Sequence, residues 1–467
     1  MAPTVVLGFD AMDVRLTEQW AHEGLLPNFA RVMSSWQSVP TENPLGLLVG
    51  GLWPSFWSGS GVGHHGSYSY RQLVPGTYTT ELFRPTDFDA RPFWLDLDDA
   101  GKRCVIFDVP LVQPYPLRNG VHIVDWGSHD AQLPTSITDP VVAELLAPIG
   151  PYPQRSCDRT VNDHADGYER LLAALLDGAQ RRTSAITALL DRDPDLFVTV
   201  FSESHCAGHQ LFHLHDITNP LHDPVLARRM GGDPILTVYR ALDTALGELL
   251  TQIPNDAAVM VMLSHGMGPH FDGTSMLNTI LQRIEARYRP LTGPARWRRA
   301  LPARLRGVRR RIDRRLRPNP RQPYVIDELR AWFPMPNNDL YGAIRLNLAG
   351  REPRGRIQPG DDLSSTIDLL TRELLALRHV DSGEPAVRRV ICVDEHHAGP
   401  NRDMLPDLCV EWNWSEPFRS LTSPTIGTVT ADIRPGRTGD HRLHGATFTC
   451  NLPLPAVASL PVEQLSG

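Results

Sequence analysis

Two histidines four residues apart open the chemical reading of this chain. They are His205 and His209, in "ESHCAGH". If a helix or turn begins at Ser204, both imidazoles share a face, the spacing that grips one metal ion. The pattern alone is weak, because two surface histidines also satisfy it. Three further groups strengthen it. Asp10 closes the apolar run "TVVLGFD", His265 follows "AVMVML" in "SHGMGPH", and His441 stands in the Gly-rich "GRTGDHRLHG". Neutral imidazoles suit Zn, Mn, Fe, Ni or Cu better than Mg or Ca. Glu203 is a candidate general base, or a partner that orients His205 or His209, or a plain surface carboxylate. Arg442 and His444 follow His441 and could meet an anionic substrate; a loop salt bridge is the alternative. Cys206, between the two spaced histidines, reads first as a small inward-packing residue and second as a ligand. His122, His129, His164, His213, His215 and His222 read as structural.

These groups need elements to hold them. Apolar runs at 4–10, 104–110, 195–204, 258–266 and 407–413 have the length and content of buried strands. Helical periodicity fills 26–36, 165–191, 234–253 and 364–379. Strands alternating with helices imply an α/β fold: a large, mostly parallel sheet covered on both faces. Ligands in such sheets collect beyond the carboxyl ends of the strands. Asp10, the segment from Glu203 to His209, and His265 all lie there. Residues 283–335 break the rhythm with an Arg- and Pro-dense stretch, which reads as an insertion or cap on a core of 1–282 and 336–467. Its charge run reads as a solvated helix face, with a docking patch for an anionic partner or membrane surface as the alternative.

Composition narrows the classes. The chain has 467 residues, enough for one large α/β domain or two domains. A formal charge of −7 excludes the global basic field that nucleic-acid binding needs. The N-terminal run lacks a signal-peptide pattern, and no apolar run reaches the length of a membrane span. Six scattered cysteines without a CxxC pair point to a reduced, cytoplasmic chain. Whether it forms a homo-oligomer is left open.

The order of "GFDAMD", "WPSFWSGSGVGHHG", "FSESHCAGHQLF", "LSHGMGP", "YGAIRLNLAGREPRG", "LPDLCVEW" and "GRTGDHRLHG" resembles the alkaline phosphatase superfamily. The branch is that of type I phosphodiesterases and predicted phosphohydrolases or phosphomutases. The resemblance runs from residue 4 to about 450 and is more specific for fold than for reaction. It implies an α/β sandwich with two metal ions at the strand ends. Asp10 and His265 match one metal site, and His209 and His441 match the other. Three departures stand out. His205 and Ser264 occupy positions where the family has aspartates. Val49 falls where the family has its Thr or Ser nucleophile, on a gap-free alignment to the Ser58-Gly59 turn. With two carboxylates lost, the expectation is one tightly bound transition metal, Zn first, at His205, His209 and His441.

The reaction this implies is metal-dependent hydrolysis of a small anionic phosphate or sulfate ester or diester. Two attackers are open. Ser55 could serve as a displaced nucleophile near the N-terminus of a helix "PSFW". Metal-activated water is favoured over it, because Val49 supplies no hydroxyl. The bland reading of Ser55 is a cap or first-turn residue after Pro54. Two other classes stay in view: a repurposed metalloenzyme with lyase, transferase or oxygen chemistry at a three-histidine site, and a metal-binding pseudoenzyme.

Overall fold

The computed structural model describes residues 2–87, 90–129, 131–154, 156–290, 324–337, 340–431 and 436–466. The chain divides into two compact units. One comprises Met1–Ser67, Arg84–His270 and Arg434–Gly467; the other comprises Tyr68–Phe83 and Phe271–Ile433. The second unit is thus larger than the 283–335 insertion read from composition. The centre of that insertion, 291–323, lies outside the described residues.

The first unit is built on a nine-stranded sheet. Its order is Leu460–Pro461, Gln37–Glu42, Gly445–Cys450, Ala258–Leu263, Thr4–Phe9, Leu196–Phe201, Cys104–Phe107, Gly120–Val124 and Ser136–Ile137. The five strands from Ala258–Leu263 to Gly120–Val124 run parallel. Gly445–Cys450 joins antiparallel to Ala258–Leu263. The central strands are apolar on both faces because helices cover both. Leu196–Phe201 is buried at every position, and Val5, Leu7, Phe9, Phe197, Phe201, Val261 and Leu263 share a core with helices Gly167–Leu190 and Pro234–Gln252. The strands expected at 4–10, 104–110, 195–204 and 258–266 all belong to this sheet. The run at 407–413 does not. Its strand, Leu408–Trp412, sits in the second unit's four-stranded antiparallel sheet, over a separate core that includes Leu277, Trp332, Leu370 and Val410.

Among the described residues no helix is long and apolar enough to cross a membrane. All six cysteines are free thiols.

Candidate metal centre

Every residue of the expected metal cluster lies in the first unit, at the carboxyl edge of its parallel strands. Asp10 follows Thr4–Phe9, and His265 follows Ala258–Leu263. Leu196–Phe201 leads through Ser202 into the helix Glu203–His215, which carries His205 and His209. His441 arrives differently. It lies on the strand Gly439–Arg442, paired antiparallel with Gly266–Pro269 so that Met267 faces His441 and Gly266 faces Arg442. This short ribbon brings the His265 and His441 segments together from positions far apart in the chain.

Two glycines let the helix settle on the ribbon. A Cβ at Gly439 would fall 2.0 Å from the Gly208 carbonyl oxygen, and one at Gly208 would fall 2.6 Å from Met267 Cγ. The close approach delivers the Gly439 carbonyl to His209 Nδ1 at 2.8 Å. The Thr438 N–H donates to the His209 carbonyl at 2.7 Å and locks the same contact.

His205 Nε2 is the common point of two imidazole contacts. His205 Nε2 is 3.0 Å from His209 Nε2 and 2.9 Å from His441 Nε2. Zn–N bonds of about 2.0–2.1 Å set tetrahedral ligand nitrogens about 3.3 Å apart, close to this spacing. The far nitrogens fix the tautomers. His205 Nδ1 donates to Asp10 Oδ2 at 2.5 Å, and His209 Nδ1 donates to the Gly439 carbonyl. Each ring, when neutral, therefore turns a lone pair toward the other's Nε2. Two lone pairs facing at 3.0 Å repel unless a cation lies between them. His265 adds a fourth ring, its Nε2 at 3.8 Å from Asp10 Oδ1 and its Nδ1 at 3.3 Å from the Gly266 carbonyl. The donor atoms of His205, His265 and His441 all lie within 4.8 Å of one another.

Burial keeps His205, His209 and His265 neutral. It pushes His205 down to about 3, helped by His129 and opposed by Asp10. It pushes His265 down to about 4, with His441 adding to the shift. His209 is driven well below its ordinary value by burial, then by Arg437 and the neighbouring imidazoles. Asp10 goes the other way. Burial alone would raise its carboxyl, but the charge and hydrogen bond of His205, with His265 and Trp53, hold it well below the usual carboxylate range. Its oxygens accept three bonds: Oδ1 from Trp53 Nε1 at 2.9 Å and Ser264 Oγ at 3.1 Å, and Oδ2 from His205.

The remaining candidates stand in other settings. Ser55 is fully buried, 3.0 Å from His65 Nε2. His65 Nδ1 accepts the Ser67 N–H at 3.1 Å, so the neutral ring carries its proton on Nε2 and donates it to Ser55. The helix here is Leu48–Ser58, with Pro54 inside it. Ser55 therefore lies in its interior, not at the helix N-terminus expected from "PSFW". Residues 48–53 are already helical, and Pro54 is tolerated because the Ser67 hydroxyl takes the Gly50 carbonyl at 2.7 Å, an acceptor that proline cannot serve. Val49 lies in the first turn of that helix.

Glu203 faces Arg182, whose Nε is 3.1 Å from Oε1, and it also accepts from Tyr152 Oη at 3.0 Å. Arg182 is fully buried and also holds Asp108 at 2.7 Å and the Gly127 carbonyl at 2.9 Å. Arg442 is buried and donates to the carbonyls of His441 at 2.7 Å and Pro269 at 2.5 Å. His444 is exposed. The structure thus gathers Asp10, His205, His209, His265 and His441. It engages Glu203 and Arg442 in buried structural bonds and sets Ser55 against His65.

Sequence reasoning set His129 among the structural histidines. It follows Gly120–Val124 in the chain, and its ring stacks on His205 with centroids 4.0 Å apart and planes 18° from parallel. Its Nδ1 lies 3.0 Å from Cys206 Sγ. A lone histidine beyond a strand carries no spacing signal; only its place at the carboxyl edge of a parallel strand could have marked it.

No family model matches this sequence. No curated protein matches it. Solved structures do match. Phosphonoacetate hydrolase from Sinorhizobium meliloti 1021, in complex with phosphonoformate, superposes with a TM-score of 0.55 at 15% identity over 100% of this chain and 94% of that one. The same enzyme in complex with phosphonoacetate gives 0.56 at 14% identity over the same shares. Murine ectonucleotide pyrophosphatase/phosphodiesterase 5 aligns more loosely, with a TM-score of 0.45 at 12% identity over 96% of this chain and 87% of that one. At these identities the phosphonoacetate hydrolase likeness establishes the fold, the alkaline phosphatase-like α/β arrangement that the seven sequence segments implied.

Proposed function

We propose that this chain is a metal-dependent hydrolase of small anionic esters of phosphate, phosphonate or sulfate, built around one divalent transition ion. The observation that carries the reading is His205 Nε2 standing 3.0 Å from His209 Nε2 and 2.9 Å from His441 Nε2, with the Nδ1 atoms of His205 and His209 bonded to fixed acceptors. Metal-bound histidines are held in this way, the outer nitrogen donating to a carboxylate or a carbonyl. Zn fits three neutral nitrogens with an open fourth position. Likeness of fold to phosphonoacetate hydrolase supports an anionic phosphorus substrate.

Asp10 serves as the orienting carboxylate of His205, because the Trp53, Ser264 and His205 donors already occupy its oxygens. A second ion would have to compete with these three donors for the carboxylate, which supports a single tight site. A divalent ion in this cradle supplies a Lewis acid for the ester oxygen and a more acidic water. His265, neutral and beside Asp10, is placed to take a proton near the reacting centre. Water is the attacker in this reading, since Val49 has no hydroxyl and Ser55 accepts a hydrogen bond from His65 Nε2, a nitrogen that already carries its proton. Glu203 positions the start of the metal-bearing helix through Arg182, and Arg442 braces the ribbon under His441. Six free thiols support a reducing, cytoplasmic setting.

The deciding experiment is metal analysis of the purified full-length chain, followed by turnover of bis-p-nitrophenyl phosphate, phosphonoacetate and p-nitrophenyl sulfate. A bound transition ion, lost in His209→Ala together with hydrolysis, supports the reading. Absence of any transition metal, or hydrolysis unchanged by His209→Ala, overturns it. Metal without hydrolysis turns the reading to the repurposed metalloenzyme, which the His205–Asp10 bond across the weakened second site favours next.

A further inference from the structure

A second group of ligand-type side chains lies behind the histidine cluster, and the function above does not use it. The helix Glu203–His215 presents His205 and His209 on one stripe and Cys206 and Gln210 on the next. On that second stripe Cys206 Sγ is 3.0 Å from His129 Nδ1, and Cys157 Sγ is 3.8 Å from the same nitrogen. The three donor atoms all lie within 4.8 Å of one another. His129 is 8% exposed, and Cys157 and Cys206 are 2% each.

We propose that His129, Cys157 and Cys206 form a thiolate-rich site for one Zn2+ ion, distinct from the three-histidine centre. Geometry supports it first. Bonds of about 2.3 Å to sulfur and 2.0–2.1 Å to nitrogen set tetrahedral S–N edges of about 3.5 Å, between the two observed distances. Charge supports it next. Two thiolates, one neutral imidazole and Zn2+ sum to zero, the only net charge that a site this buried holds cheaply. Binding forms two Zn–S bonds and one Zn–N bond, breaks two S–H bonds and releases both protons to solvent.

The site is also preorganised from three separate elements. Cys157 opens the short helix Cys157–Asn162. The His129 loop is pinned upstream, where Asp108 accepts the N–H groups of Trp126 and Gly127 at 2.8 Å each and Arg182 binds the Gly127 carbonyl at 2.9 Å. Gln154 places its amide nitrogen 3.3 Å from Cys206 Sγ, and Gln210 places its own 3.6 Å from Cys157 Sγ. Amide N–H groups on both sulfurs suit thiolates, which accept such bonds better than thiols do. A water would complete four-coordination. Because the His129 ring stacks on His205, the ion would also fix one wall of the histidine centre.

The test uses the full-length protein, stripped of metal under reducing conditions and reloaded with Co2+. A thiolate-to-cobalt charge-transfer band in the near ultraviolet is expected, a signal that histidine ligands alone do not give. Cys157→Ser should abolish the band and remove about one equivalent of bound Zn2+. His209→Ala should leave the band in place, which separates this site from the function proposed above: hydrolysis unchanged by His209→Ala, with the band retained, speaks against that function only. Should Cys157→Ser fail to fold, Zn2+ released by a mercurial from the wild-type chain reads the same site. A Co2+-loaded protein without the band, a band that survives Cys157→Ser, or a Cys157–Cys206 disulfide in protein prepared under reductant overturns the proposal.

Discussion

Asp10 Oδ2 and His205 Nδ1 lie 2.5 Å apart, joining the end of the first strand to the first turn of the helix after Leu196–Phe201. A carboxylate that might have held an ion is turned into the partner of an imidazole that can. Asp10→Asn keeps the shape and removes the charge. The expected result is a 10–100-fold weaker hold on Zn2+, the usual effect of losing such a partner, measured by chelator competition. Unchanged affinity would show that Asp10 does not orient His205.

Acid should destabilise the metal-free protein well above the range of ordinary carboxylates. His205 and His265 are depressed to about 3 and about 4, from 6.5 when unfolded. A depressed histidine binds fewer protons folded than unfolded, so the stability it confers is complete above pH 6.5 and is lost as pH falls toward 4 and then 3. The slope reaches about 1.4 kcal/mol per pH unit for each such ring. Denaturant midpoints of chelated protein between pH 7 and 4 measure it. A flat profile over that window would mean that the rings are already charged or accessible.

Ser55→Ala is expected to leave hydrolysis of bis-p-nitrophenyl phosphate within about twofold and to cost about 1–2 kcal/mol of stability, through the donor orphaned on His65. Steady-state kinetics and a denaturation curve on one preparation read both. A fall in kcat of about a thousandfold or more would restore Ser55 as the nucleophile and displace water from the mechanism.

These outcomes bear on what the sequence could disclose. Strand ends were legible because apolar runs stop at chemistry-bearing residues, and Asp10, His209, His265 and His441 could be placed together from that and from the order of the segments. The site of Ser55 within its helix was not. Pro54 reads as a helix start, and the Ser67 hydroxyl that lets the helix pass through it comes from beyond the next turn. The second unit's sheets were hidden for a similar reason: Leu408–Trp412 is as apolar as the parallel strands, and composition does not tell which sheet a buried strand joins. His129 and Cys157 meet Cys206 only through tertiary folding, with no spacing to announce them.

Glu203→Gln should test the buried pair with Arg182. Both side chains are fully buried, so the substitution leaves the guanidinium with one carboxylate, Asp108, in place of two. A loss of about 3–5 kcal/mol is expected, with kcat per folded molecule little changed. A pH–rate profile that loses its acidic limb, with stability intact, would instead make Glu203 a general base.

Gly439→Ala probes how the fold builds the centre. Its Cβ would meet the Gly208 carbonyl at 2.0 Å and Phe212 Cβ at 2.8 Å, two fixed points on the metal-bearing helix. Neither can yield without parting helix from ribbon, which stretches the His209–Gly439 bond and moves His441 away from His205. A cost of about 1–3 kcal/mol in stability is expected from the overpacking alone. Zn2+ affinity should fall further than that loss explains, because two of three ligands shift. Isothermal titration of the folded variant with Zn2+ separates the effects. Native affinity in a destabilised protein would show that the ribbon supports the fold and leaves the ion to other residues.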